Sequence, residues 1–319
     1  VEYMTRARPF SGVISFILFM ISSAAHAQEA DALAWVKAQA LKADIITIAA
    51  EPGMADVPEM LEALAPDLGA AGFGAYAVST GPWMAANIED IAGRTSDELE
   101  RYLSDPQNAR QMQVLNTHEA LSLIKTIKSS WAGWPRNIWG VDQEFLTSAP
   151  FLLERLSLFA KDDATKAAIL SYRTQALAED YYLASAPDSV FDHLRSLFDE
   201  EDEEPLALIN EMALSKHIYG PFLDGSPQMK KAHERREALL FENFLRYIRE
   251  DKAPKIIIEL PPAHLHKETT PLNVPSFGNS LSKYATAKGQ KILSLAILCG
   301  PQGKRLLFDG GHRDCGAEF

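Results

Sequence analysis

The chain has 319 residues, of which 47% are apolar, and a formal net charge of -12. That apolar share is enough for a full core, and the length fits one large α/β domain or two small ones. The negative charge argues against nucleic acid and anionic membrane as partners, since neither a phosphate backbone nor a lipid headgroup attracts such a surface. The expected partner is a small-molecule ligand or substrate, whose identity the charge does not give.

Taken from the start, Arg6 and Arg8 precede an apolar run, GVISFILFMI, and then SSAAHA, in which Ala25 and Ala27 stand at the spacing a signal peptidase requires. A secretory signal peptide over 1–27 is expected, with translation opening at Met4 and cleavage after Ala27. The product, 28–319, is then an exported single domain, periplasmic or secreted. The apolar run falls short of the roughly 20 residues that span a bilayer, and no later segment reaches that length, so no membrane span is expected after cleavage. Cys299 and Cys315 are the only cysteines. An exporting compartment permits them to pair, while Cys299 alone also reads as a buried thiol at a strand end.

Four short runs are apolar without alternation: IITIA (45–49), GAYAV (74–78), KIIIEL (255–260) and ILSLAILC (292–299). Strands of this kind are buried on both faces, as in a parallel sheet covered by helices. NIWGVD (137–142) makes a fifth. Helical patterns alternate with them, DVPEMLEALAPDL, PWMAANIEDIA, SDELERYL and ALSLIKTIKSSW, which points to an α/β fold with a doubly wound, mostly parallel sheet flanked by helices. From about 149 to 250 helical periodicity takes over, as in FLLERLSLFA, ATKAAILSYRTQALAEDYY and MKKAHERREALLFENFLRYIRE. This stretch is expected to be a large helical insertion that rejoins the sheet at Lys255. The acidic run DEEDEE (199–204) reads as a solvated loop at a helix end.

Three places carry groups capable of chemistry. In HERREALLFENF (233–244), Arg236, Leu240 and Asn243 share one helix face, with Glu237 beside them. An arginine on a half-buried stripe must be paired or must bind an anion. A salt bridge to Glu237 or Glu242 would satisfy it without a ligand. PPAHLHKETTPLNVPSFGN (261–279) leaves a buried strand where open α/β sheets gather ligands. His264 there suits a general base, and with His266 two positions on it could ligate a divalent metal; loop histidines without a role are also common. WGVDQEF (139–145) places Asp142 and Glu144 after another strand, either to orient a histidine or to cap a turn.

In this order the motifs ITIAAEPGMADVPEML, GAYAVSTGPWMAANIEDI, NIWGVDQEF, RREALLFENF and KIIIELPPAHLHK with LNVPSFGN resemble the erythromycin esterase-like group of hydrolases. That group is similar to the wider superfamily holding the Tiki proteases and haem-uptake lipoproteins. The family's first loop reads Gly-Glu-x-His-Gly, matched here by Ala49, Ala50, Glu51, Pro52 and Gly53, and its second strand ends in glutamate where this chain has Ser79. The resemblance therefore implies an active-site loop stripped of its acid and base, with Glu51 one residue from the expected acid.

Two functions follow from this reading. One is an exported esterase-like protein with a degenerate loop, a ligand-binding pseudoenzyme or weak hydrolase whose pocket uses Arg236, Asn243, Glu51 and His266 for binding. The other is an active divergent hydrolase of ester or amide bonds, with His264 as base, Asp142 or Glu237 orienting it, Arg236 stabilising the oxyanion, and no cofactor beyond a divalent metal in a Tiki-like variant. A structural envelope protein is the third and plainest alternative.

Overall fold

Five parallel strands form the sheet: β1 (Ile45–Ala49), β2 (Phe73–Val78), β3 (Ile138–Gly140), β4 (Lys255–Leu260) and β5 (Ile292–Ala296), in the order β3-β2-β4-β1-β5. The computed structural model describes residues 31–94, 96–112, 115–251, 254–298, 304–306 and 312–314. The leader read over 1–27 and both cysteines lie outside them. The chain divides after Lys42; residues 31–40 before that point are helical, and the sheet belongs to the part after it.

Runs of isoleucine make β1 and β4 good strands, because β-branched side chains fit a pleated, packed surface. They lie side by side in register, Ile45 opposite Ile256 and Ala49 opposite Leu260. β2 pairs with the other edge of β4 and carries β3 outside it. All of β2 and β3 is buried, as expected for a sheet covered on both faces. β5, the edge strand beyond β1, departs from the expectation: none of its five residues is buried, whereas β3 at the other edge is buried throughout.

Helices α1 (Asp56–Ala70), α2 (Pro82–Ala92), α3 (Ser96–Ser104), α4 (Pro106–Gln111) and α5 (His118–Ser130) connect the first three strands. Pro82 opens α2, where its missing N–H costs nothing. Thr117 caps α5 by accepting the Ala120 N–H at 3.2 Å. Between β3 and β4 stand six helices, α6 (Ala149–Ser157), α7 (Asp163–Ala178), α8 (Tyr182–Ser185), α9 (Asp188–Ser196), α10 (Glu203–Leu223) and α11 (Met229–Glu250). They are the expected insertion, and they have an apolar core of their own, built on Leu152, Leu156, Phe191, Leu194, Leu208 and Met212. The acidic run enters α10, with Glu203 and Glu204 in its first turn where the helix dipole favours them. Lys161 holds Asp199 and Asp202.

The inner half of α11 and helix α12 (Phe277–Lys288) cover one face of the sheet. Leu240, Phe244, Tyr247, Phe277 and Leu281 pack there on Ala75, Ala77, Trp139, Ile256 and Ile258. Since strand side chains alternate between faces, Ile46, Ile48, Tyr76, Val78 and Ile257 point the other way, and they are equally buried. α1 packs on β2 and on α5. Ser276 caps α12 through the Asn279 N–H at 3.1 Å, and Gly289, in the left-handed region at φ 67°, ends it.

Candidate active site

Four strand ends converge: Ala49 into the first loop, Val78 into Ser79, Gly140 into Asp142, and Leu260 into the turn that holds His264. The β3 end stays tied to β2 beyond its last residue, with the Val141 N–H donating to Val78 O at 3.2 Å and the Asp142 N–H to Thr80 O at 3.0 Å. That anchors Asp142, which is buried. Arg236 on α11 reaches it with two bonds, Nε to Oδ1 at 3.0 Å and a terminal NH2 to Oδ2 at 2.6 Å. Ser79 Oγ donates to the same Oδ2 at 2.7 Å, and the Gln143 N–H to Oδ1 at 2.9 Å. Burial alone would raise the Asp142 carboxyl; the Arg236 charge and hydrogen bonds outweigh it and hold it below the ordinary carboxylate range.

Arg236 is therefore an ion-pair partner of Asp142, and not of Glu237 or Glu242. Its neighbour Arg235 makes the surface pair with Glu242 instead. Asn243, two turns further on the same face, is buried and donates to the Val141 carbonyl at 3.2 Å. Both polar residues of the helix stripe thus clamp the end of β3.

One position beyond Arg236, Glu237 turns to the other side. Its Oε1 meets His264 Nδ1 at 2.6 Å, and its Oε2 accepts the Phe277 N–H at 2.7 Å from the first turn of α12. All three residues are buried. With Nδ1 engaged by a carboxylate, the proton of a neutral His264 sits there, and Nε2 is the nitrogen left to take one. His233, one turn earlier on α11, brings its Nε2 to 3.3 Å from the same Oε1 and its ring to 5.9 Å from that of His264. Burial lowers the His233 pKa, and the Glu237 charge offsets part of that.

No protein-family model matches the chain, and no curated protein matches it. Solved structures do. An erythromycin esterase, EreC, determined as a mutant in its open conformation, superposes with a TM-score of 0.50 at 16% identity, over 80% of this chain and 69% of its own. The chain shares the erythromycin esterase fold. A succinoglycan biosynthesis protein has it too, with a TM-score of 0.52 at 13% identity, over 80% of this chain and 66% of that one.

Within this esterase fold the first loop and the second strand end line a small pocket. Ala50, Pro52 and Ser79 stand on its wall with Pro261, and Tyr76 and Glu259 supply its other polar groups. Glu259 lies on β4 beside Ile48 and Val78, and the Tyr76 hydroxyl donates to its Oε2. Burial pushes the Glu259 carboxyl up to about 7, with the Tyr76 hydrogen bond working against it. Glu51 is exposed on the loop. His266 is exposed as well, and its carbonyl accepts from Ser276 Oγ. The two histidines of PAHLH do not converge: His264 Nδ1 is turned into Glu237. Among the described residues no group of three or more His, Cys, Asp or Glu side chains is placed to hold a metal ion. No helix among them is long and apolar enough to cross a membrane.

His233, Tyr76 and Glu259 escape the sequence reading. His233 and Glu237 stand four apart on one helix, a spacing that marks a shared face. Glu259 sits inside an isoleucine run that reads as strand core, and nothing local tells that its side chain meets a tyrosine from the next strand. Glu144 turns out to be a cap. Its Oε1 accepts the Trp83 N–H at 2.8 Å at the start of α2, and a Cβ on Gly81 would fall 2.1 Å from its carboxyl carbon.

Proposed function

We propose that the chain is an exported hydrolase of ester or amide bonds with low turnover, built on the Glu237–His264 pair. The 2.6 Å contact between a carboxylate and an imidazole at a strand end carries this reading. Glu237 is itself held by a backbone N–H, so it keeps His264 in one orientation and one tautomer, leaving Nε2 to take a proton from water as that water attacks a carbonyl. Two features support low turnover. Arg236, the natural stabiliser of an oxyanion, is already neutralised by Asp142, and Ala50 and Pro52 put no acid or base on the pocket wall.

The test is hydrolysis of a panel of small esters and lactones by the purified protein beside His264→Ala. Loss of a general base costs a factor of about 10² to 10⁴, and the mutant should show it. Equal rates for the two proteins on every substrate would sink the hydrolase reading. Ala50 and Pro52, which leave the first loop's side of the pocket without an acid or a base, favour the second reading in that event, a pseudoenzyme.

A further inference from the structure

A second cavity, of about 250 Å³, runs along the outer edge of β3. None of His264, Glu237, Asp142 and Arg236 lines it. Its walls come from α2 (Trp83), the start of β3 (Ile138), α10 (Glu211) and α11 (Arg246, Tyr247). At that size it lies below the roughly 300–1,000 Å³ typical of drug-sized ligands, so its occupant is small.

Most of the charge around it is already engaged. Arg136 pairs with Glu250 and Asp251, and Glu89 accepts the Asn137 N–H and meets Lys128. Two groups stand apart. Glu211 Oε2 is buried with no hydrogen-bond partner, a costly condition that calls for a ligand or a water. Arg246 rests on the Tyr247 ring, its guanidinium carbon 5.3 Å from the centroid, and among the described residues it makes no ion pair. The two feel each other, since the Arg246 charge works to lower the Glu211 carboxyl against the burial that raises it. Yet no ion pair joins them, and both line the cavity.

We propose that this cavity binds a small zwitterion of the α-amino-acid type, with its carboxylate on Arg246, its ammonium on Glu211 and its carbon skeleton against Trp83 and Ile138. A planar guanidinium suits a carboxylate in two-point contact, and a cavity lined by both a cation and an anion selects a ligand with both charges. A dicarboxylate would meet Glu211, and a diamine would meet Arg246. A neutral polyol would displace water from both charges and compensate neither. The site is independent of the strand-end histidine, so it stands whether or not the protein turns over an ester.

Calorimetric titration of the purified protein with each proteinogenic amino acid tests the proposal, with succinate, 1,5-diaminopentane and glucose as probes lacking one or both charges. At least one amino acid should bind, and more tightly than any of the three. Glu211→Gln and Arg246→Gln should each weaken it by about tenfold or more, the scale of a hydrogen bond to a charged group, and His264→Ala should leave it unchanged. Thermal unfolding shows that each variant is folded. Absence of binding by every amino acid overturns the proposal. So does a single-charge probe that binds as tightly, or affinity indifferent to both glutamine variants.

Discussion

Arg236 and Asp142 are 94 positions apart and meet in a two-point ion pair, buried at Asp142 and half-buried at Arg236, that ties the insertion helix α11 to the end of β3. Taking two charges out of water costs about as much as their attraction returns, so such a pair adds little net stability but punishes the loss of one partner. Ser79 and Asn243 join the same knot, one on Asp142 Oδ2 and the other on the Val141 carbonyl. Residues that the sequence offers as ligand-binding thus hold two elements together.

Arg236→Met should therefore lose about 3–5 kcal/mol in urea unfolding, because Asp142 is left charged and unpaired. Adding Asp142→Leu should recover most of that loss. A cost below about 1 kcal/mol for the single change would mean that solvent reaches the pair, and Arg236 would again be a candidate anion site.

Glu237→Gln separates orientation from stability. The amide oxygen can still accept the Phe277 N–H, so the thermal midpoint should hardly move, but the carboxylate that fixes the His264 proton is gone. Nitrogen NMR of the His264 ring should report a mixed tautomer population, and any esterase activity should fall by about 10²-fold or more. Glu237→Ala should also lose about 1–3 kcal/mol through the stranded Phe277 N–H. A His264 tautomer unchanged in Glu237→Gln would remove Glu237 from the site.

Periodicity and apolar runs locate β1, β4, α2 and α11 closely, since each is read from residues adjacent in the chain. The insertion between β3 and β4 is legible for the same reason, although α8, α9 and α10 are not separable within it; Pro205 and Pro221 inside α10 blur its pattern. β5 reads as doubly buried because an apolar run does not say which strand other elements cover: β3 and β5 are both edges, and only β3 is buried. The site shows a sharper version of that limit. Asp142, Arg236, Glu237 and His264 are all visible as chemistry, yet whether Asp142 or Glu237 meets His264 is not, because neighbouring positions 236 and 237 turn to different partners at different strand ends. The i, i+7 spacing put Arg236 and Asn243 on one face, and whether that face met a ligand or the β3 end depended on the tertiary fold.

Two glycines mark how tightly β3 and the start of α2 approach. A Cβ on Gly140 would sit 2.3 Å from the Gly81 carbonyl oxygen, backbone that cannot swing aside. Gly140→Ala should lose about 1–3 kcal/mol or more as the strand end is pushed off. Gly220, within α10, has nothing nearer than 3.8 Å to the same added atom, so Gly220→Ala should gain about 0.5–1 kcal/mol from helix propensity. Chemical denaturation of both variants checks the pair. A Gly140→Ala protein as stable as its parent would mean that the strand end does not approach α2 so closely.

Glu144 should make the fold sensitive to pH. Burial pushes its carboxyl up to about 8, with the Trp83 N–H opposing, against an unfolded value of 4.5. Between those values the folded chain binds more protons at this site than the unfolded one, so stability falls as pH rises through the window. The slope is at most about 1.4 kcal/mol per pH unit. Below the window the contribution is fully present, and above it the loss is complete. Glu144→Gln keeps an oxygen for the Trp83 N–H and has nothing to titrate. Measured by urea unfolding at several pH values, the variant should gain on the parent as pH rises, whatever constant offset the amide introduces. A difference that stays flat across the window would mean that Glu144 is already ionised in the fold, compensated by Arg246.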